Sequence, residues 1–199
     1  MTQIVVATAN AHKVEEYKKL IGDQQVELLS LLDYPGCPEI IENGSSFEEN
    51  ASLKAVAASK YCGIPVFADD SGLEIEALNG APGIFSARYA ETNEKRIERV
   101  LSEMQGIANR KARFVCVIAI AFNGEVIETF EGVVNGHISD RPRGSNGFGY
   151  DPIFVPEGYD ESFAEMSEEA KNQISHRSEA YRKAVEFIED EMSILDDEF

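Results

Sequence analysis

Asn123-Gly124 separates two runs dense in β-branched and aromatic residues, 113–122 and 125–134. A two-residue loop of this kind needs positive φ at both positions, which Asn and Gly tolerate, and its twist matches that of the strands it joins. An antiparallel pair is therefore expected in the middle of the chain. The N-terminal third follows a different rule. Residues 4–8 read as a buried strand, and an amphipathic helix begins near His12 with Val14, Tyr17, Leu20 and Ile21 on one face. Ser46-x-x-Glu49 opens an alanine-rich second helix that runs to about Tyr61, with Gly63 placed to cap it and Pro65 to stop it. Residues 66–68 then read as a strand, Asp69-Asp70-Ser71-Gly72 as a turn, and the segment after it as a strand with Leu73, Ile75 and Ala77 on one face. A third helix is expected over 93–104, a short strand over 153–155 and a last helix over about 177–191. Alternating strands and helices followed by a hairpin imply an α/β fold with a mixed sheet rather than a purely parallel one.

The chain has 199 residues, enough for a substantial core, and no repeat or low-complexity linker divides it. Its net charge of −18, from 36 acidic and 18 basic residues, argues against a nucleic-acid or anionic-membrane surface, which needs a basic face. A small anionic ligand remains compatible, because charges more than about 8 Å away are screened and a few lysines with a metal can dominate a pocket. Cys37, Cys62 and Cys116 are odd in number and form no Cys-x-x-Cys pair, which argues against a disulfide framework or zinc site and fits a reducing cytosol. The first apolar run is too short for a signal peptide or anchor, so a cytoplasmic protein is expected. Asp196-Asp197-Glu198 reads as a solvated acidic tail.

Four groups of residues have the chemistry of a site, each with a plainer alternative. Thr8-Ala9-Asn10-Ala11-His12-Lys13 is a strand-to-helix junction whose backbone N–H groups, hydroxyl, amide and lysine suit a phosphate, though Asn10 also reads as an ordinary cap. Glu42 precedes the Gly44-Ser45-Ser46 turn, and Asn50 and Lys54 share a helical face. Alone, Glu42 reads as an ordinary loop carboxylate in a very acidic protein; with Asp70 it becomes one of a pair of hard oxygen ligands, the number that magnesium takes when waters and phosphate fill the rest of its shell. Gly144 to Pro152 is a glycine-rich loop whose two aromatics either stack on a planar base or pack as a structural turn. Lys171 and Ser175-His176-Arg177 form a donor-rich corner that suits an oxo group or phosphate, or else a capping serine with two solvated neighbours. There is no Gly-x-Ser-x-Gly elbow for a covalent hydrolase.

Five segments in order resemble the inosine triphosphate pyrophosphatase family, in its bacterial XTP/dITP diphosphatase branch. They are Thr8-x-Asn10-x-x-Lys13; Phe47-x-Glu49-Asn50-Ala51-x-x-Lys54-Ala55; Ala68-Asp69-Asp70-Ser71-Gly72-Leu73 with Gly80-Ala81-Pro82-Gly83-Ile84-x-Ser86-Ala87-Arg88-Tyr89; Gly147-Phe148-Gly149-Tyr150-Asp151-Pro152-Ile153-Phe154; and Ser175-His176-Arg177. The resemblance implies an elongated mixed β-sheet flanked by helices, in two lobes with a central cleft. It implies a single domain over residues 1–199 whose lobes do not fold independently, and a homodimer. The implied reaction is hydrolysis of deaminated purine nucleoside triphosphates (XTP, ITP, dITP) to monophosphate and pyrophosphate, which cleanses the nucleotide pool. The implied cofactor is magnesium, with manganese as the alternative. By the same resemblance Asp70 is general base and metal ligand, with Glu42 as its partner at the metal. Thr8, Asn10, Lys13, Lys54, Ser71 and Lys171 hold the triphosphate. Phe148 stacks on the base, Gly149, Tyr150 and Asp151 shape its pocket, and His176 and Arg177 read its oxo edge. The chain departs from the pattern at the short rim Ala90-Glu91-Thr92 and at Asn43, where many relatives have threonine. A Maf-like pyrophosphatase acting on pyrimidine or modified nucleotides is disfavoured by the Phe148 and His176 segments. A non-catalytic nucleotide-binding module is disfavoured by Glu42, Asp70 and the lysines, since binding alone needs no base.

Overall fold

Short polar side chains fix where the helices begin. In α1 (Ala11–Ile21) Asn10 Oδ1 accepts from the His12 N–H at 3.0 Å, and in α2 (Phe47–Cys62) Ser46 Oγ accepts from the Glu49 N–H at 3.1 Å. Glu49 reaches one residue further back than a capping box requires: its carboxylate accepts from the N–H and the hydroxyl of Ser45, which hold its pKa below the usual carboxylate range. Gly63, at φ 69°, ends α2 in the left-handed conformation as expected. Thr92 caps α3 (Asn93–Glu103) and Ser167 caps α4 (Glu168–Ile174), and α5 spans His176–Asp196. The structure, a computed structural model, describes residues 2–8, 10–21, 26–34, 36–38 and 40–196. Ala9, the side chains of Ile4, Ile21 and Asp196, and Asp197 and Glu198 of the acidic tail lie outside what is described.

Six strands form one mixed sheet in the order β2-β1-β3-β4-β5-β6: β1 (Thr2–Val6), β2 (Val26–Ser30), β3 (Val66–Ile75), β4 (Lys111–Phe122), β5 (Glu125–Ile138) and β6 (Phe154–Pro156). β1 runs parallel to both β2 and β3, while β6 pairs antiparallel with the end of β5. Asn123 and Gly124 both have positive φ, 51° and 82°, as the two-residue turn between β4 and β5 demands. β5 runs past the expected Val134 to Ile138, and β2 and α4 were not anticipated. No helix among the described residues is long and apolar enough to cross a membrane.

The expected Asp69-Asp70-Ser71-Gly72 turn does not exist; β3 continues through it for ten residues. A buried carboxylate in a strand is costly when unpaired, but both aspartates find nitrogen partners on helices, so the strand need not break. Ala77, expected on the strand beyond, falls instead in a 3-10 turn over Glu76–Leu78.

The chain divides into two units, with boundaries after Asp70 in β3, after Cys116 in β4, after Gly132 in β5 and after Arg177 in the first turn of α5. In the first, Ala51, Ala55 and Ala58 form a fully buried small-residue face of α2, and Tyr17 of α1 meets Phe67 of β3 edge-on at 4.8 Å. The second unit buries Leu73, Ile75, Ile97, Val100, Met104, Phe114, Ile138, Phe154 and Phe163 in one cluster.

Candidate active site

Successive strand residues face opposite ways, and in the first unit Asp69 and Asp70 accordingly meet different helices. Asp69, fully buried, receives the Lys13 ammonium from the first turn of α1 at 2.6 Å. Asp70 accepts from Asn50 Nδ2 of α2 at 3.0 Å, and Lys54, one helical turn on, lies 3.9 Å away. The same Lys54 ammonium is 3.1 Å from Glu42 Oε2. Glu42 and Asp70 therefore converge on one cation, with Lys13 close enough to act on Asp70 electrostatically. Burial raises the Asp70 pKa; Lys54, Lys13 and the Asn50 hydrogen bond oppose that rise, and Glu42 adds to it.

This donor set fits a hard divalent cation. Both side chains offer carboxylate oxygens, and an ammonium already sits between them, so the pair collects positive charge. No group of three or more His, Cys, Asp or Glu able to hold a metal occurs among the described residues. Two protein carboxylates are the usual share in a magnesium shell, whereas a structural zinc site needs four nitrogen or sulfur ligands.

The second unit gathers a different cluster of side chains. Asp151 is almost completely buried; its Oδ2 accepts from the Lys171 ammonium at 2.7 Å and from the Phe148 N–H at 2.9 Å. A Cβ at Gly147, φ +70°, would lie 2.0 Å from that oxygen, so the loop closes over Asp151 only with glycine there. The Phe148 ring has two cations near it, Lys171 Nζ at 5.2 Å and Arg177 Cζ at 5.8 Å from its centroid. Tyr150 is part of the core and its hydroxyl donates to the Ser86 carbonyl at 2.8 Å; burial pushes its pKa well above the ordinary tyrosine value. At the start of α5 the His176 ring stacks on Phe114 at 4.8 Å, and Arg177, with 2 % of its surface exposed, donates from Nη2 to Ser71 Oγ at 3.0 Å.

The expected residues thus fall into two groups. Thr8, Asn10, Lys13, Glu42, Lys54 and Asp70 lie in the first unit; Ser71, Phe148, Gly149, Tyr150, Asp151, Lys171, His176 and Arg177 lie in the second. Thr8 and Asn10 shape their junction: Thr8 Oγ1 accepts from the Asn10 N–H, and Asn10 caps α1, so its plainer reading as a helix cap holds. Lys171 belongs with the Phe148 loop through Asp151 rather than with the lysines of α1 and α2. The solvated alternative for His176 and Arg177 is wrong, because both are buried. Sequence reasoning assigned no role to Asn50, or to Ser86, whose Oγ accepts from the Leu73 N–H at 2.9 Å and donates to the Gly83 carbonyl. Their signal was membership of the quoted motifs without a charge to attract attention.

A sequence profile of the Ham1 family matches residues 4–187. Among curated relatives, a dITP/XTP pyrophosphatase of Desulfotalea psychrophila is 47% identical over 180 residues, covering 89% of this chain and 81% of the relative. Another dITP/XTP pyrophosphatase, from Oceanobacillus iheyensis, is 49% identical over 186 residues, 90% of this chain and 94% of that one. The solved structure of a HAM1 protein from Coxiella burnetii superposes with a TM-score of 0.88 at 40% identity, covering 96% of this chain and all (100%) of the other.

Proposed function

The chain belongs to the Ham1 family, and we propose that it hydrolyses XTP, ITP and dITP to the monophosphate and pyrophosphate, with magnesium as cofactor. The observation that carries this reading is the convergence of the Glu42 and Asp70 carboxylates on the Lys54 ammonium, with Lys13 nearby. A site for a small organic molecule would not need two carboxylates gathered around a cation. A polyanion held through a divalent cation does.

Glu42 and Asp70 would hold the divalent cation, which when bound would screen phosphate charge and make water more acidic. Asp70 takes the proton from that water. Burial raises its pKa, which makes it a stronger base than a solvated aspartate. Lys13 and Lys54 stabilise the negative charge that grows on the phosphates as the bond between the α- and β-phosphorus breaks. The Lys13 ammonium is pre-placed by Asp69, whereas the Lys54 ammonium, lying between Glu42 and Asp70, turns to the phosphates when a divalent cation takes its place. Thr8 and the N–H groups at the start of α1 complete the cradle.

Phe148 stacks on the purine, and the Asp151–Lys171 ion pair holds its loop in place. Arg177 and His176 present donors to position 6. A 6-oxo group accepts from them, whereas a 6-amino group meets donor against donor. Gly147→Ala tests the loop. The added methyl must displace Asp151, and kcat/KM for ITP is expected to fall by about 100-fold, the scale of a misplacement near 1 Å. Steady-state kinetics on the folded variant decide this, and an unchanged kcat/KM would detach the loop from substrate recognition.

The substrate assignment is tested by kcat/KM for ITP, XTP, dITP, ATP and a pyrimidine triphosphate. The 6-oxo purines are expected to exceed ATP by about 100-fold or more. Equal values, or a preference for the pyrimidine, would overturn it.

A further inference from the structure

We propose that Asn50 is a positioning residue for the divalent cation: a single buried amide sets the spacing between Glu42 and Asp70. The inference rests on the cation reading given above. Asn50 is 1 % exposed and both ends of its side chain are engaged. Nδ2 donates to Asp70 Oδ2 at 3.0 Å, and Oδ1 accepts from the Gly44 N–H at 2.8 Å. Gly44 stands two residues after Glu42, so one side chain ties the Glu42 loop to the strand that carries Asp70.

The loop reaches the amide because position 44 has no side chain. A Cβ there would lie 2.7 Å from the Glu49 Cβ and 2.8 Å from Asn50 Oδ1. The amide itself is hard to replace. Its two ends must donate to a carboxylate and accept from a backbone N–H, and at that length asparagine does both without charge. An ionised aspartate at 50 offers no donor to Asp70, and an apolar residue leaves the Gly44 N–H and an Asp70 lone pair unsatisfied. Ser46, the N-cap of α2, fixes the phase of the helix and so the direction in which Asn50 points. Carboxylates that bind metals depend on such outer partners for their orientation, and losing one typically weakens metal binding about 10- to 100-fold.

The test is direct Mn2+ binding to the full chain without nucleotide, read from the electron paramagnetic resonance of free Mn2+, for wild type, Asn50→Leu and Glu42→Gln. Asn50→Leu is expected to raise the Mn2+ Kd about 10- to 100-fold, with excess Mn2+ restoring ITP turnover to within a few-fold of wild type. A purely structural role would lower the melting temperature and leave Kd unchanged, so a folded Asn50→Leu with Kd within twofold of wild type overturns the proposal. Should that variant fail to fold, Gly44→Ala keeps the amide and pushes the loop off it. The same weakening is expected there, and an unchanged Kd is equally decisive. If wild type and Glu42→Gln bind Mn2+ equally, the fault lies in the Glu42–Asp70 cation reading itself.

Discussion

Asp70→Asn is expected to lower kcat for ITP by about 10³-fold, within the range for loss of a general base, while raising the melting temperature of the metal-free protein. The two effects share one cause. Burial raises the Asp70 pKa despite Lys54, Lys13 and Asn50, so the folded state holds this proton more tightly than the unfolded chain does. Stability from this group is then greatest at pH values below the ordinary aspartate range. It declines as pH climbs through that range towards the raised folded value and stays reduced above it. Asparagine nearly matches the shape, retains an acceptor for Asn50 Nδ2 and carries no charge to desolvate. Thermal melts in chelator at pH 7 and pH 4 check the sign: the gain over wild type should be larger at pH 7. A variant that keeps wild-type turnover removes Asp70 from the chemistry, and one that is destabilised at pH 7 contradicts the electrostatic account.

Arg177→Ala is expected to narrow the ratio of kcat/KM for ITP over ATP by about 100-fold, because recognition by directed donors is what separates an oxo group from an amine. Arg177 has the means. It is buried, its guanidinium is steadied by Ser71 Oγ, and it lies near the ring of Phe148. Arginine has donors and no acceptor, so it cannot adapt to an amino group by reversing a hydrogen bond. Arg177→Lys should give an intermediate ratio, since the charge stays and the planar fork is lost. Loss of a buried side chain also lowers stability, so the ratio, which is insensitive to the fraction folded, is the quantity to compare. An unchanged ratio in Arg177→Ala would assign selectivity elsewhere.

Local chemistry was the legible part of this chain. Asn123-Gly124 announces its hairpin because the two positive φ angles are a property of those residues, and Ser46, Glu49 and Gly63 mark the ends of α2 for the same reason. Asp69 and Asp70 read as a turn in the sequence because what makes them tolerable in a strand is remote: Lys13 is 56 residues from Asp69, and Asn50 is 20 from Asp70. A window along the sequence shows two charges and no partner. The burial of Arg177 was hidden likewise, since Ser71 is 106 residues away and the neighbours along the chain are polar. Residue chemistry nevertheless singled out Glu42, Lys54 and Asp70, which converge, because they are the types that a cation and a polyphosphate require. What it could not convey is that the Lys171 ammonium is paired with the buried carboxylate of Asp151.

Pyrophosphate release from ITP, followed with Mg2+ and then with excess chelator, tests the central claim most directly. The account predicts pyrophosphate and IMP in equal amounts, no orthophosphate, and loss of the reaction when the divalent ion is withdrawn. Orthophosphate as the first product, or a rate indifferent to chelation, would contradict it.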